Sequence, residues 1–161
     1  MTDGVSFKLE GMDEILGKLK ELSHDVKYRG GRFALRKAAN LVATKAKENA
    51  KTIDDPASAA DIGKNIAVRW SGRTFKTTGD LKFRVGVMGG AGGSAPANAM
   101  AGLPGGDTRH WRHVEFGTEH ARAQPFMRRA LSENVNAAVA EFSKEFPKAI
   151  DRALKRAQKA K

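Results

Sequence analysis

The chain has 161 residues, 40% of them hydrophobic and 17 of them glycine, which suits one domain with a modest core. It holds no cysteine, so a disulfide framework, a thiolate zinc site and cysteine nucleophilic chemistry are all excluded. Its formal net charge of +11 points to polyanionic partners, either nucleic acid or an acidic neighbour in an assembly.

At the N-terminus, Val5-Ser6-Phe7-Lys8-Leu9 alternates apolar and polar residues, the period of a half-buried strand. Charges follow closely, unlike a signal peptide, and no apolar run approaches the roughly 20 residues of a membrane-spanning helix. A soluble chain, intracellular when made, is expected. After Gly11, the residues Met12, Ile15, Leu16, Leu19 and Leu22 recur at helical spacing, with Asp13 and Glu14 in the first turn, where the helix dipole favours acids. Gly30-Gly31 reads as a break or a tight bend. Beyond it Leu35, Ala38, Ala39, Val42, Ala43 and Ala46 trace one face of a second, alanine-rich helix. Asp54-Asp55-Pro56 ends it, because Pro56 disfavours a helical Asp55.

Two strands follow, one on Ile66, Val68 and Trp70 and one on Phe83, Val85 and Val87. Thr77-Thr78-Gly79-Asp80 reads as the turn between them, and an antiparallel pair is the economical arrangement. Gly89 to Asp107 is rich in glycine and small residues, with little apolar surface to offset the entropy of ordering it. A long mobile loop over 89–107 is expected. Val114 and Phe116 alternate with His113 and Glu115, suggesting another strand that ends at Gly117. After Pro125 the longest helical pattern runs from Leu131 to Leu154. Pro147 predicts a kink or break near Glu145-Phe146, and the end at 148–161 is strongly basic. The order predicts a single α+β domain over 1–161, a small antiparallel sheet packed by an N-terminal helix pair and a long C-terminal helix.

No enzymatic constellation emerges. The glycine run lacks the lysine and following helix of a phosphate-binding loop. His110, His113, Glu115 and His120 are the densest group of metal-ligand types, but on a strand only His113 and Glu115 share a face, and no helical His-x-x-x-His pair exists. No serine lies in a Gly-x-Ser-x-Gly elbow. No cofactor and no metal is expected. Basic residues crowd two helices: Arg29, Arg32, Arg36 and Lys37 on one, Arg128, Arg129, Lys155 and Arg156 on the other. These are candidate contacts to DNA phosphates or to neighbouring subunits. Aromatic residues make up only 7% of the chain and sit mostly at core-like positions, so nonspecific phosphate contact is favoured over sequence reading.

The most distinctive segment is Trp111-Arg112-His113-Val114-Glu115-Phe116-Gly117-Thr118, followed by Ala123-Gln124-Pro125-Phe126-Met127-Arg128-Arg129-Ala130-Leu131. It resembles a signature of the tail-completion and head–tail joining proteins of lambda-like long-tailed bacteriophages, in which a Val-Glu-Phe-Gly-Thr strand end precedes a Pro-Phe opening of the last helix. The resemblance implies a structural virion protein of the phage neck. Its subunits would form a ring, hexameric by expectation, linking the head connector to the tail terminator and tube proteins. Genomic DNA would pass through the channel with weak, nonspecific contact, and no membrane would be involved. The chain would reside in the virion, and in the host cytoplasm during assembly. Trp111, Val114, Glu115, Phe116, Gly117, Thr118, Pro125 and Phe126 carry the signature. Each has a local structural role to play: Gly117 in a left-handed turn, Pro125 at the first helical position, Phe126 folding back on Val114 and Phe116. A fold-forming corner is therefore favoured over a binding site. The alternative from another class is a standalone basic DNA-binding accessory protein.

Overall fold

A computed structural model of the chain describes residues 24–53, 60–89 and 102–159. The expected strand at Val5–Leu9 and the first helix of the N-terminal pair lie outside them. Helix α1 spans His24–Lys51. A short α2 (Ile62–Asn65) runs directly into β1 (Ile66–Trp70), and α3 (Gly72–Thr78) leads to β2 (Phe83–Val87). Helix α4 (Trp111–Phe116) and the long α5 (Met127–Lys159) complete the chain. This is the α+β arrangement expected, a small antiparallel sheet beside helices.

The fold is organised by the packing of α1 on α5. Asn49 donates to the Phe126 carbonyl at 3.2 Å near one end, and the Arg152 guanidinium lies 4.6 Å from the Phe33 ring centre near the other, so the two helices run antiparallel. The expected alanine face is buried: Ala38, Val42, Ala43 and Ala46 are joined by Ala34 and Ala50. Small side chains let the α5 backbone come close, and the core they share includes Ile62, Ile66, Phe126 and Ala130.

Gly30-Gly31 does not break the chain, and α1 runs through both residues. A Cβ at Gly30 would lie 3.1 Å from Ile150 Cγ1, and one at Gly31 would lie 2.6 Å from Leu81 Cδ1 and 3.7 Å from Phe146 Cε2. The glycines serve close approach rather than a turn. Their propensity cost of about 1 kcal/mol each is offset by tertiary packing. Pro147 likewise does not end α5, which continues to Lys159. Phe146 and Ala149, buried on either side of it, hold the segment together, while Pro147 itself faces solvent.

The strands pair antiparallel as expected, with Ile66 opposite Val87, Val68 opposite Val85 and Trp70 opposite Phe83. Val68, Val85 and Val87 face the core cluster. The connection is not a bare turn at Thr77–Asp80. Most of it is α3, closed by Gly79 in the left-handed region at φ 77° with its N–H on the Phe75 carbonyl. Tyr28 stacks on Phe75 at 4.4 Å and Trp70 packs on Phe83 at 5.1 Å, which ties this hairpin to the start of α1.

Of the glycine-rich segment, residues 90–101 lie outside the described set, whereas its C-terminal end is docked. Asn65 is fully buried, and its side-chain oxygen accepts the Gly105 N–H at 2.8 Å. Its amide donates to the Gly106 carbonyl at 2.9 Å and to Thr108 Oγ1 at 2.7 Å. The Asp61 N–H reaches the Gly105 carbonyl at 2.8 Å, and a Cβ at Gly105 would collide with the Asp61 carbonyl oxygen.

Candidate functional site

The signature segment forms the corner between α4 and α5. The expected strand at Val114–Phe116 is a helix instead. Trp111, Val114 and Glu115 turn inward at positions i, i+3 and i+4, a helical spacing that a four-residue alternation could not reveal. On a helix His113 and Glu115 do not share a face, and His110, His113 and His120 are all exposed.

Glu115 is the centre of the corner. Its side chain is 2% exposed. One carboxylate oxygen accepts the Phe126 N–H at 2.8 Å and the Met127 N–H at 2.9 Å. The other accepts the Arg128 N–H at 2.9 Å and the Arg128 Nε at 3.1 Å. The first N–H groups of a helix have no partner within it and carry the positive end of its dipole, so a carboxylate placed there satisfies both. Arg128 also donates to the Glu115 carbonyl at 2.7 Å, closing a two-way clasp between α4 and α5.

The neighbours keep this carboxylate in place. Gly117 takes φ 77° and ψ 178°, and its N–H donates to the His113 carbonyl at 2.8 Å. The positive φ is as expected, but ψ is extended, so this is not a left-handed helical turn. A Cβ there would meet the Ala123 nitrogen at 2.8 Å and the Ala121 carbonyl oxygen at 2.9 Å. Thr118 Oγ1 accepts the N–H groups of His120 and Ala121 at 3.2 and 3.0 Å, and the Thr118 N–H donates to the Ala121 carbonyl at 2.9 Å. The Gln124 N–H then donates to the Val114 carbonyl at 2.8 Å, bringing the chain back beside α4.

Phe126 is fully buried in the core cluster, and Trp111 and Val114 pack against that cluster. Pro125 lies two residues before the first residue of α5, not at its first position. Phe116 does not join the core. It is 58% exposed, with the Arg128 guanidinium 5.0 Å from its ring centre.

Arg32 donates to the Tyr28 hydroxyl at 2.7 Å and lies 4.6 Å over the Trp70 ring. Lys37 lies 5.8 Å over Phe33, Arg128 is held by Glu115, and Arg129 pairs with Glu133 at 3.0 Å. Arg29, Arg36, Lys155 and Arg156 are exposed. The antiparallel packing places Arg29, Arg32, Arg36 and Lys37 at the same end of the helix pair as Lys155 and Arg156, where Gly30 meets Ile150 and Arg152 lies over Phe33, and leaves Arg128 and Arg129 at the other end. Asn65 and its grip on Gly105 went unnoticed in the sequence, where a lone asparagine before a strand carries no signal.

Fold and corner together define a small α+β structural domain with a basic surface, its long helices clasped by a buried carboxylate. The family described as "Bacteriophage HK97-gp10, putative tail-component" matches residues 13–117, well over half of the chain. The chain belongs to this HK97-gp10-like family of bacteriophage tail components. The matched region takes in α1, the hairpin and the corner as far as Gly117, leaving Phe126 and α5 beyond it. No curated protein and no solved structure matches the chain.

Proposed function

We propose that this chain is a structural subunit of the phage neck, a tail-completion or head–tail joining protein that assembles as a ring and performs no catalysis. The ring, hexameric by expectation, joins the head connector to the terminator and tube proteins of the tail. The family match over residues 13–117 is the observation that carries this reading. The signature corner supports it, since its glutamate, glycine, threonine and phenylalanine are engaged within the subunit. The surface beside the corner supports the ring. Phe116 and Leu131 are 58% and 54% exposed, and both neighbour Arg128, one under its guanidinium and the other a turn along α5. A neighbouring copy removes such apolar surface from water. In a ring the contact is heterologous, so this patch meets a different face of the next subunit.

Particles assembled without this chain test the reading. Filled heads and finished tails should accumulate unjoined, and supplying the chain should restore joining. Normal joining in its absence overturns the neck role and leaves the standalone DNA-binding protein as the better account of the +11 charge.

A further inference from the structure

We propose that the outer face of the β1–β2 hairpin is a phosphate-binding surface that takes the backbone of duplex DNA. The inference goes beyond the proposed function and places on the sheet the phosphate contact that the sequence led us to expect on the helices. It is tested on the isolated chain, so it stands or falls separately from the ring.

The hairpin has one face on the core and one face in water. Side chains alternate across a strand, so Val68 and Val85 point inward while Arg69 and Arg84 point outward. Arg69 is directly opposite Arg84 in the register. Lys82, just ahead of β2, continues the same alternation, and all three cations are exposed. Among the described residues, none of the three side chains has a hydrogen bond or an ion pair. The helix cations Arg32, Arg128 and Arg129 each already have a partner within the subunit, and Arg36, Lys155 and Arg156, unpaired among the described residues, do not face a like charge across a ladder.

Like charges directly opposite on a ladder destabilise it. Among the described residues no carboxylate pairs with either arginine to relieve this cost, which points to an anion from outside. Beside the pair is a shallow groove of ≈ 320 Å³ whose walls include Arg69, Arg84 and Met88. Its floor is Ala67 opposite Gly86, and nothing lies within 4 Å of where a Gly86 Cβ would be. Small residues there let a polymer backbone come close while two guanidinium forks, about 5 Å apart at their Cβ atoms, reach its phosphates.

A second copy of the chain is a poor occupant. Of the described carboxylates, Glu48, Asp61, Asp107, Glu115, Glu133 and Glu145 are each paired with a cation of their own subunit, while Asp80, Glu119, Glu141 and Asp151 are spread singly over the α3–β2 connection, the corner and α5. A phosphodiester backbone instead presents a continuous line of anions, with a charge every ~1.7 Å of duplex axis.

The test is fluorescence anisotropy of the full chain with a labelled duplex of about 30 base pairs, titrated at several salt concentrations from about 50 mM upward. Replacing both Arg69→Ala and Arg84→Ala should weaken binding about 10-fold or more at the lowest salt, and should cut the slope of log K against log salt by about 2. Lys155→Ala with Arg156→Ala removes the same charge from the end of α5 and should weaken binding by less than about 3-fold. If the hairpin pair lowers the thermal midpoint, Arg84→Gln alone is read instead, with a loss of about 3-fold expected and no loss overturning the proposal. Equal losses from the two double variants would mean that net charge alone binds, and would overturn it. So would tighter binding to polyglutamate than to DNA, which would make the occupant an acidic protein, and so would no DNA binding by the unaltered chain.

Discussion

Glu115 and Phe126 stand 11 residues apart, yet a carboxylate oxygen of the first accepts the backbone N–H of the second at 2.8 Å. Through this contact the end of α4 becomes the cap of α5. The same carboxylate holds the N–H groups of Met127 and Arg128. Glu115→Ala leaves those donors without their acceptor in a buried corner, and should cost about 3 kcal/mol of unfolding free energy, read by urea denaturation. Glu115→Gln keeps the shape but turns an amide N–H₂ toward donors, so an intermediate loss is expected.

Gly117 is the hinge that makes this reach geometrically open. At φ 77° and ψ 178° a side chain is strained, and its Cβ would press on the Ala121–Ala123 backbone. Gly117→Ala should destabilise the protein by about 2 kcal/mol or more. A thermal midpoint unchanged from the parent would contradict this geometry.

Asn65 fastens the segment before α4 to the start of β1. Asn65→Ala removes three side-chain hydrogen bonds and strands the Gly105 N–H, at a cost of about 2 kcal/mol. Hydrogen exchange should then quicken at Gly105 more than at residues in the middle of α1.

Two surface carboxyls set an acid dependence. The hydrogen bond from Lys148 holds Glu145 below its ordinary value of 4.5, with Lys37 and Lys144 adding to it. Asp107 is held below 3.8 chiefly by its hydrogen bond from Arg109. Each is therefore ionised more readily in the folded chain, and its contribution is complete above those ordinary values and lost as pH falls through the lowered ones. Both are solvent-screened, so the effect is small. Glu145→Gln should lower the thermal midpoint slightly at pH 7 and leave it close to the parent's at pH 3. An equal difference at both pH values would contradict the assignment.

Long periodic patterns and local strand pairs were legible in the sequence. The alanine face of α1, the β1–β2 pairing and the reach of α5 all follow from spacing alone. Misreadings arose where tertiary contacts overrule local signals. Gly30 and Gly31 look like a break until Ile150 and Phe146 of α5 are seen beside them. Pro147 reads as a kink or a break, and the helix is unbroken through it, between the buried Phe146 and Ala149. Val114-Glu115-Phe116 alternates like a strand because the stretch is too short to separate periods of 2 and 3.6. The part played by Glu115 within the signature is not readable from the sequence, since capping α5 requires the chain to double back through Gly117 and Thr118. For the basic residues, composition gave the sign of the charge and not its address: pairing within the subunit occupies several helix cations, while Arg69 and Arg84 stand without partners among the described residues.

Cryo-electron microscopy of the intact particle, with this chain traced in the density, tests the central claim most directly. The account predicts a closed ring of copies between the head connector and the tail tube, with the exposed Phe116 and Leu131 covered by the neighbouring subunit. A purified particle that lacks the chain, or one that carries it away from that junction, would contradict the account.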